Sequence, residues 1–268
     1  MIYIAIVLGV LGLCFGSFIN ALVWRLKNNR NWVSERSECT HCHHVLAPLD
    51  LIPVVSWLLL RGKCHYCHKP IEDTPWTEVI MGTLFVGSYL FWPTQLHLWY
   101  QWADFGLWLV FLVFLGALLL YDLRWYLLPD KLIYPLIALG LVDGLLRAVW
   151  LQHLSPLETV TGLAFGLLPI AGFYGLLYAA SRGRWIGFGD VKLGAFMGLV
   201  LGWQGALLVL FLGNVIGTLV ILPGLMSKKL NRQSRIPFGP FLIVGFITTG
   251  LFGNYLINWY ISTYLFIR

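Results

Sequence analysis

Apolar residues fall into long, nearly unbroken runs near 2–24, 77–93, 105–121, 132–150, 158–180, 190–203, 205–225 and 238–260, each bounded by charges or by Pro and Gly. Each run reads as a helix, because lipid offers backbone polar groups no partner outside their own segment. About 20 mainly apolar residues cross a hydrocarbon core. The pattern therefore predicts an all-α, polytopic membrane bundle of about eight transmembrane helices. The run 190–203 is too short to span unaided and is parted from the next only by Gly202-Trp203-Gln204-Gly205, so a tilted or incomplete crossing is expected there. Small residues recur four apart at Gly12/Gly16, Gly140/Gly144, Gly162/Gly166, Gly194/Gly198/Gly202 and Gly213/Gly217, a spacing that lets helices approach closely.

Composition agrees with lipid as the solvent: of 268 residues 59% are hydrophobic and only 11% charged, which leaves little room for a soluble domain. The net charge of +6 does not imply nucleic acid, since the basic residues form short juxtamembrane clusters and no basic, aromatic-interleaved face. They instead set topology. The connections 25–76, 122–131, 181–192 and 226–237 hold 16 of the 18 Lys and Arg residues, which places them in the cytoplasm and the N-terminus outside. The aromatic, Lys- and Arg-free connection 94–104 fits an outer turn. The first run has no basic region before it and no small-residue cleavage pattern, so it is expected to remain as a helix, with Cys14 packed in it as an apolar thiol. The expected organisation is a first transmembrane helix over 1–26, a cytoplasmic loop domain over 27–76 and a bundle over 77–268.

The loop domain carries Cys39-Thr40-His41-Cys42 and Cys64-His65-Tyr66-Cys67, separated by 21 residues, a paired spacing that matches two knuckles closing one tetrahedral zinc site. Disulfides are disfavoured in a reducing compartment. Four thiolates leave no open position for a catalytic water, so the zinc is read as structural, stabilising a segment with few core residues of its own. His41, His43, His44, His65 and His68 crowd the knuckles, and either one of them replaces a thiolate or all lie on the solvated surface. Between the knuckles, Leu49 to Leu60 is apolar but short and broken by Pro53, as expected of an interfacial or re-entrant segment.

Carboxylates within spans are expensive and each needs a reason. Asp104 falls at the outer interface, Asp143 precedes Arg147 by four residues on one helix face, Asp130 follows Pro129 as an expected N-cap, and Glu158 lies in a first turn where the helix dipole favours it. Asp122 and Asp190 differ, because both fall at cytoplasmic helix ends at one membrane depth, and Gly187 and Gly189 leave backbone uncovered beside Asp190. If the two carboxylates meet, repulsion holds one proton between them. The ionised member then activates a water while the protonated one donates to a scissile carbonyl. The structural alternative has Asp190 capping its helix and pairing with Lys192, and Asp122 pairing with Arg124.

Taken together, these residues resemble the type IV prepilin peptidases, membrane aspartic peptidases that process pilin and type II secretion pseudopilin precursors. The likeness rests on Gly16-Ser17-Phe18-Ile19-Asn20 with Arg25, the Cys39/Cys42/Cys64/Cys67 tetrad, Asp122 with Leu128-Pro129-Asp130, Gly187-Phe188-Gly189-Asp190, and Ile236-Pro237-Phe238-Gly239-Pro240. It implies that Asp122 and Asp190 are catalytic, that Gly187, Gly189, Glu78, Pro237 and Gly239 support them, and that the tetrad binds zinc. The implied substrate is a precursor with a short basic leader followed by an apolar helix, cleaved at the inner face of the bacterial cytoplasmic membrane just after a glycine. Many family members also methylate the new N-terminal residue with S-adenosylmethionine, but no strand-helix unit with a Gly-rich nucleotide turn is present here. Lys27 and Thr40 depart from the family's usual residues. The competing readings are a peptidase without methyl transfer, a transporter and a zinc-knuckle scaffold. A transporter predicts midplane carboxylates, and a scaffold predicts dispensable aspartates.

Overall fold

The computed structural model describes residues 2–32, 35–71, 73–227 and 236–264, so most of the basic connection expected over 226–237 lies outside the described residues. Nine α-helices are described: α1 Ile2–Lys27, α2 Val55–Leu59, α3 Trp76–Leu90, α4 Trp99–Trp125, α5 Asp130–Leu146, α6 Pro156–Leu167, α7 Phe173–Ser181, α8 Phe188–Met226 and α9 Gly239–Tyr264. Two single-turn π segments, Arg147–Leu151 and Leu168–Gly172, extend α5 and join α6 to α7. Six resulting helices are long and apolar enough to cross a membrane. The chain is a multi-pass membrane protein. It forms two compact units, Met1–Leu90 with Leu115–Leu120, and Phe91–Phe114 with Tyr121–Arg268.

In the first unit α1 packs along α3, and small residues set the distance. A Cβ on Gly12 would stand 2.6 Å from the Met81 carbonyl oxygen, and one on Gly16 would collide with the backbone of Glu78. Any side chain there forces the helices apart. Phe15 and Phe85 close the same seam at 5.8 Å.

In the second unit, Gly166 and Gly198 each face the other's carbonyl, which fixes the crossing of α6 and α8. Gly162, although four residues from Gly166, meets nothing within 4 Å; one helix face carries two such positions but only one reaches a neighbour. Gly202 has nothing within 4 Å of a Cβ of its own, although its Cα would lie 3.4 Å from a Cβ on Gly166. It adopts φ 67, ψ −178, a conformation open to glycine alone, and breaks α8. The chain folds back there: Phe196 before the break stacks on Phe246 at 5.1 Å, while the Val209 carbonyl after it lies 3.2 Å from where a Cβ on Gly245 would be. The short apolar run expected over 190–203 and the full-length one over 205–225 are thus the arms of one hairpin. Trp108, Phe246, Phe196 and Phe111 form a continuous aromatic column with centroids 5.0 to 5.4 Å apart.

The same unit buries an ion cluster. Arg147 Nε lies 2.8 Å from Asp104 and 2.9 Å from Asp143, contacts set by distance more than by hydrogen-bond alignment. The expected Asp143–Arg147 pair is present, but Asp104 joins it and is buried. One guanidinium therefore serves two carboxylates. Arg147→Met leaves both without a counter-charge and is expected to destabilise the fold by about 3–5 kcal/mol, which a detergent-based unfolding titration measures. Glu158 forms the expected first-turn contact, its carboxylate accepting the Ser155 N–H at 2.9 Å in a reciprocal capping box. Asp130 does not cap α5. The cap is Pro129, and the Asp130 side chain reaches across to Lys192.

Candidate functional site

Asp122 lies in the last turn of α4, which ends because Tyr126 turns into the left-handed region at φ 56, its N–H bonding the Asp122 carbonyl at 2.8 Å. Only 5% of Asp122 is exposed. Its carboxylate accepts the backbone N–H of Gly239, the first residue of α9. That contact requires glycine, since a Cβ on Gly239 would stand 2.6 Å from Asp122 Oδ2. Pro237 precedes this turn, and the Phe238 carbonyl accepts the Phe241 N–H. The helix N-terminus, with its partial positive charge, thus faces the carboxylate.

Asp190 occupies the first turn of α8 and accepts the Gly187 backbone N–H. It lies within electrostatic reach of Asp122, one on the last turn of α4 and the other on the first turn of α8. Leu128 sets the floor of this site: its side chain would lie 3.0 Å from a Cβ on Gly189 and 3.6 Å from one on Gly239. Tyr174 also stands within electrostatic reach of Asp190, its ring edge-on to Phe238 at 5.7 Å.

The structural alternative for Asp190 fails at Lys192. That ammonium pairs with Asp130 and sits over the rings of Tyr134 and Phe188 at 4.6 and 5.0 Å, so it neutralises a carboxylate outside the pair. In the sequence Leu128 appeared only within a family motif and Lys192 only as an expected partner of Asp190. Their parts depend on contacts across α4, α5, α8 and α9.

The first unit holds a candidate metal centre. Cys39, Cys42, Cys64 and Cys67 bring their sulfurs within 4.8 Å of one another, and Cys39 and Cys67 Sγ are 3.9 Å apart. A tetrahedron of Zn–S bonds of about 2.3 Å places sulfurs about 3.8 Å apart, so the four thiols fit that ion. The knuckles are built alike. Cys39 N–H bonds the His44 carbonyl and Cys64 N–H the Lys69 carbonyl, while His43 and His68 take matching left-handed turns at φ 57 and 56. All five histidines are exposed, which supports the surface reading of them. Burial opposes ionisation of Cys39, but the N–H groups of Cys42 and His41 outweigh it and bring its thiol to about 6. The His44 N–H favours the Cys42 thiolate, but burial and the adjoining Cys39 and Cys67 thiols push it up to about 11.

Glu78 is buried in the first turn of α3, where its carboxylate accepts the Val54 N–H at 2.6 Å and a hydrogen bond from Ser17. The helix dipole is therefore not its sole partner. Between the knuckles, the apolar segment forms a 3-10 turn, Pro48–Leu51, and α2, with Leu49, Leu58 and Leu59 exposed.

Residues 10–92 match the bacterial peptidase A24 N-terminal domain, and residues 109–222 match the type IV leader peptidase family. The chain is 30% identical to the prepilin leader peptidase/N-methyltransferase of Aeromonas hydrophila over 94% of its own length and 92% of the relative's. It is 31% identical to that of Pectobacterium carotovorum subsp. carotovorum, covering 92% and 91%, and 28% identical to that of Legionella pneumophila, covering 98% and 96%. No solved structure gave a significant match.

Proposed function

The chain belongs to the type IV leader peptidase family, and from that membership we propose that it is a membrane aspartic endopeptidase with Asp122 and Asp190 as its catalytic pair. It cleaves the short basic leader from prepilin or pseudopilin precursors and methylates the new N-terminus from S-adenosylmethionine. The observation that carries the peptidase reading is the meeting of Asp122 and Asp190, each held by a backbone N–H, with Lys192 turned to Asp130.

Two like charges at one site favour the state in which the pair shares a proton. The ionised carboxylate takes a proton from water as that water attacks the scissile carbonyl, and the protonated one donates to the carbonyl oxygen. The two titrate as a unit, so each role belongs to the pair. Gly187 and Gly189 leave the backbone beside Asp190 bare, and an extended substrate segment can approach there. The basic connections place this end of the bundle in the cytoplasm, with the N-terminus outside, in the bacterial inner membrane. The substrate's apolar helix then lies among the spans while its leader stays in water. In the tetracysteine domain zinc acts structurally, holding the two knuckles together.

The test is incubation of the purified chain in lipid with a leader-bearing pilin precursor, with products read by mass spectrometry. Cleavage after the leader, with a methyl-sized increment on the mature N-terminus, is expected. An intact precursor refutes the peptidase assignment. Gly239→Ala is a sharper probe. The added Cβ displaces the Asp122 carboxylate, and a misplacement of about 1 Å costs on the order of 10²-fold in rate, with thermal stability near wild type.

A further inference from the structure

The first unit contains a cleft of about 190 Å³ between the end of α1, the zinc loop and the start of α3. Two buried polar atoms in residues that line it have no hydrogen-bond partner among the described residues: the acceptor Asn20 Oδ1 and the donor Trp57 Nε1. Asn20 is only 7% exposed. Buried orphans destabilise a fold unless something satisfies them, and here one donor and one acceptor are left over in the same cleft.

The rest of the wall is charged and rigid. Glu78 is fixed by the Val54 N–H, with Val54 held at φ 61, an uncommon value for a β-branched residue. Arg25 is buried at the end of α1 and donates to the Trp32 carbonyl at 3.2 Å and Ser37 Oγ at 3.3 Å. Asp73, Arg36, Glu38, Asp50 and Trp24 also line it, with the Arg30 guanidinium 5.0 Å over the Trp24 ring. The cleft thus offers a guanidinium and an N–H to an anionic group, and carboxylates and a carbonyl to a cationic one. Glu78 lies close enough to Asp73 to feel its charge, and that second carboxylate suits a second cation. A zwitterionic α-amino acid bearing a further positive centre meets all of these.

We propose that this cleft binds the methionyl-sulfonium end of S-adenosylmethionine, with Asn20 and Trp57 as direct hydrogen-bonding partners. The volume accommodates the amino-acid end, and the nucleoside extends through the open mouth. The inference rests on the methyltransferase reading above and assigns it a place.

The test is equilibrium binding of radiolabelled S-adenosylmethionine to the full-length protein in lipid nanodiscs, comparing wild type with Trp57→Phe and Asn20→Leu. Trp57→Phe keeps an aromatic side chain and removes the indole N–H together with the pyrrole half of the ring system. Precursor cleavage at the wild-type rate, together with unchanged zinc content, certifies each variant as folded. Saturable binding by wild type, weakened about tenfold in each variant, is expected. Variants that bind as tightly as wild type overturn the site and leave the methyltransferase reading standing. If wild type neither binds the donor nor methylates the cleaved product, the methyltransferase reading falls and the site falls with it.

Discussion

Asp122→Asn and Asp190→Asn are each expected to lower precursor cleavage by at least about 10³-fold while leaving the chain folded. An amide is nearly isosteric with a carboxylate and still accepts the Gly239 or Gly187 N–H through its oxygen, so the helix ends that meet at the site stay in place. What disappears is the shared proton. An amide can neither take a proton from water nor hold one at a carboxyl oxygen, and general acid-base contributions of about 10²–10⁴ are lost together with the orienting charge. Because the two groups act as one unit, the double variant should be little slower than either single one. Initial rates on a leader-bearing precursor, with each variant's thermal unfolding measured alongside, decide the matter. Folded variants that cut at wild-type rate remove the pair from the mechanism.

The second large effect is expected from removing one thiol or the metal. Cys64→Ser, at a buried corner of the tetrad, should drop bound zinc from one per chain to below about a tenth and expose the knuckles to proteolysis. Structural zinc contributes apparent free energies of about 10–16 kcal/mol in small zinc modules near neutral pH, and this loop has few core residues to replace it. Acid should act in the same direction. Metal binding needs four thiolates, whereas the Cys42 thiol is pushed up to about 11 beside a Cys39 thiol at about 6, so binding expels protons and occupancy falls as pH falls. Zinc content by elemental analysis, across pH and in a strong chelator, checks both statements. Zinc retained by folded Cys64→Ser would show that the fourth thiol is dispensable.

The sequence showed most clearly what depends on local pattern. Runs of apolar residues announced the crossings, and the spacing of four cysteines announced the tetrad, because both signals lie within one segment. Contacts between distant segments were not legible in this way. Lys192 stands two residues from Asp190 yet pairs with Asp130, 62 residues away, and nothing in either segment says so. Asp104 reaches Arg147 by the same kind of long-range packing, and Gly239 touches Asp122 only because α9 starts beside the end of α4. Glycine spacing was legible in part. Gly12 and Gly16 do face a neighbouring helix, whereas Gly162 does not and Gly202 is a hinge in the backbone, a distinction that depends on what stands opposite.

That break at Gly202 bears on the surrounding lipid. Phe188 to Leu201 make a 14-residue arm that rises about 21 Å, against a hydrocarbon thickness of about 30 Å. Taken alone, the arm is shorter than that core. A cleft of about 530 Å³ opens around its tip, with Asp104, Arg147, Gln204 and Asn254 among its walls, and backbone freed at a helix break is tolerated in a membrane protein where it is buried in protein or lines a cavity. Leu193, Phe196, Met197 and Val200 on that arm are buried, so neighbouring helices and not lipid surround the short crossing, and its length costs no hydrophobic mismatch.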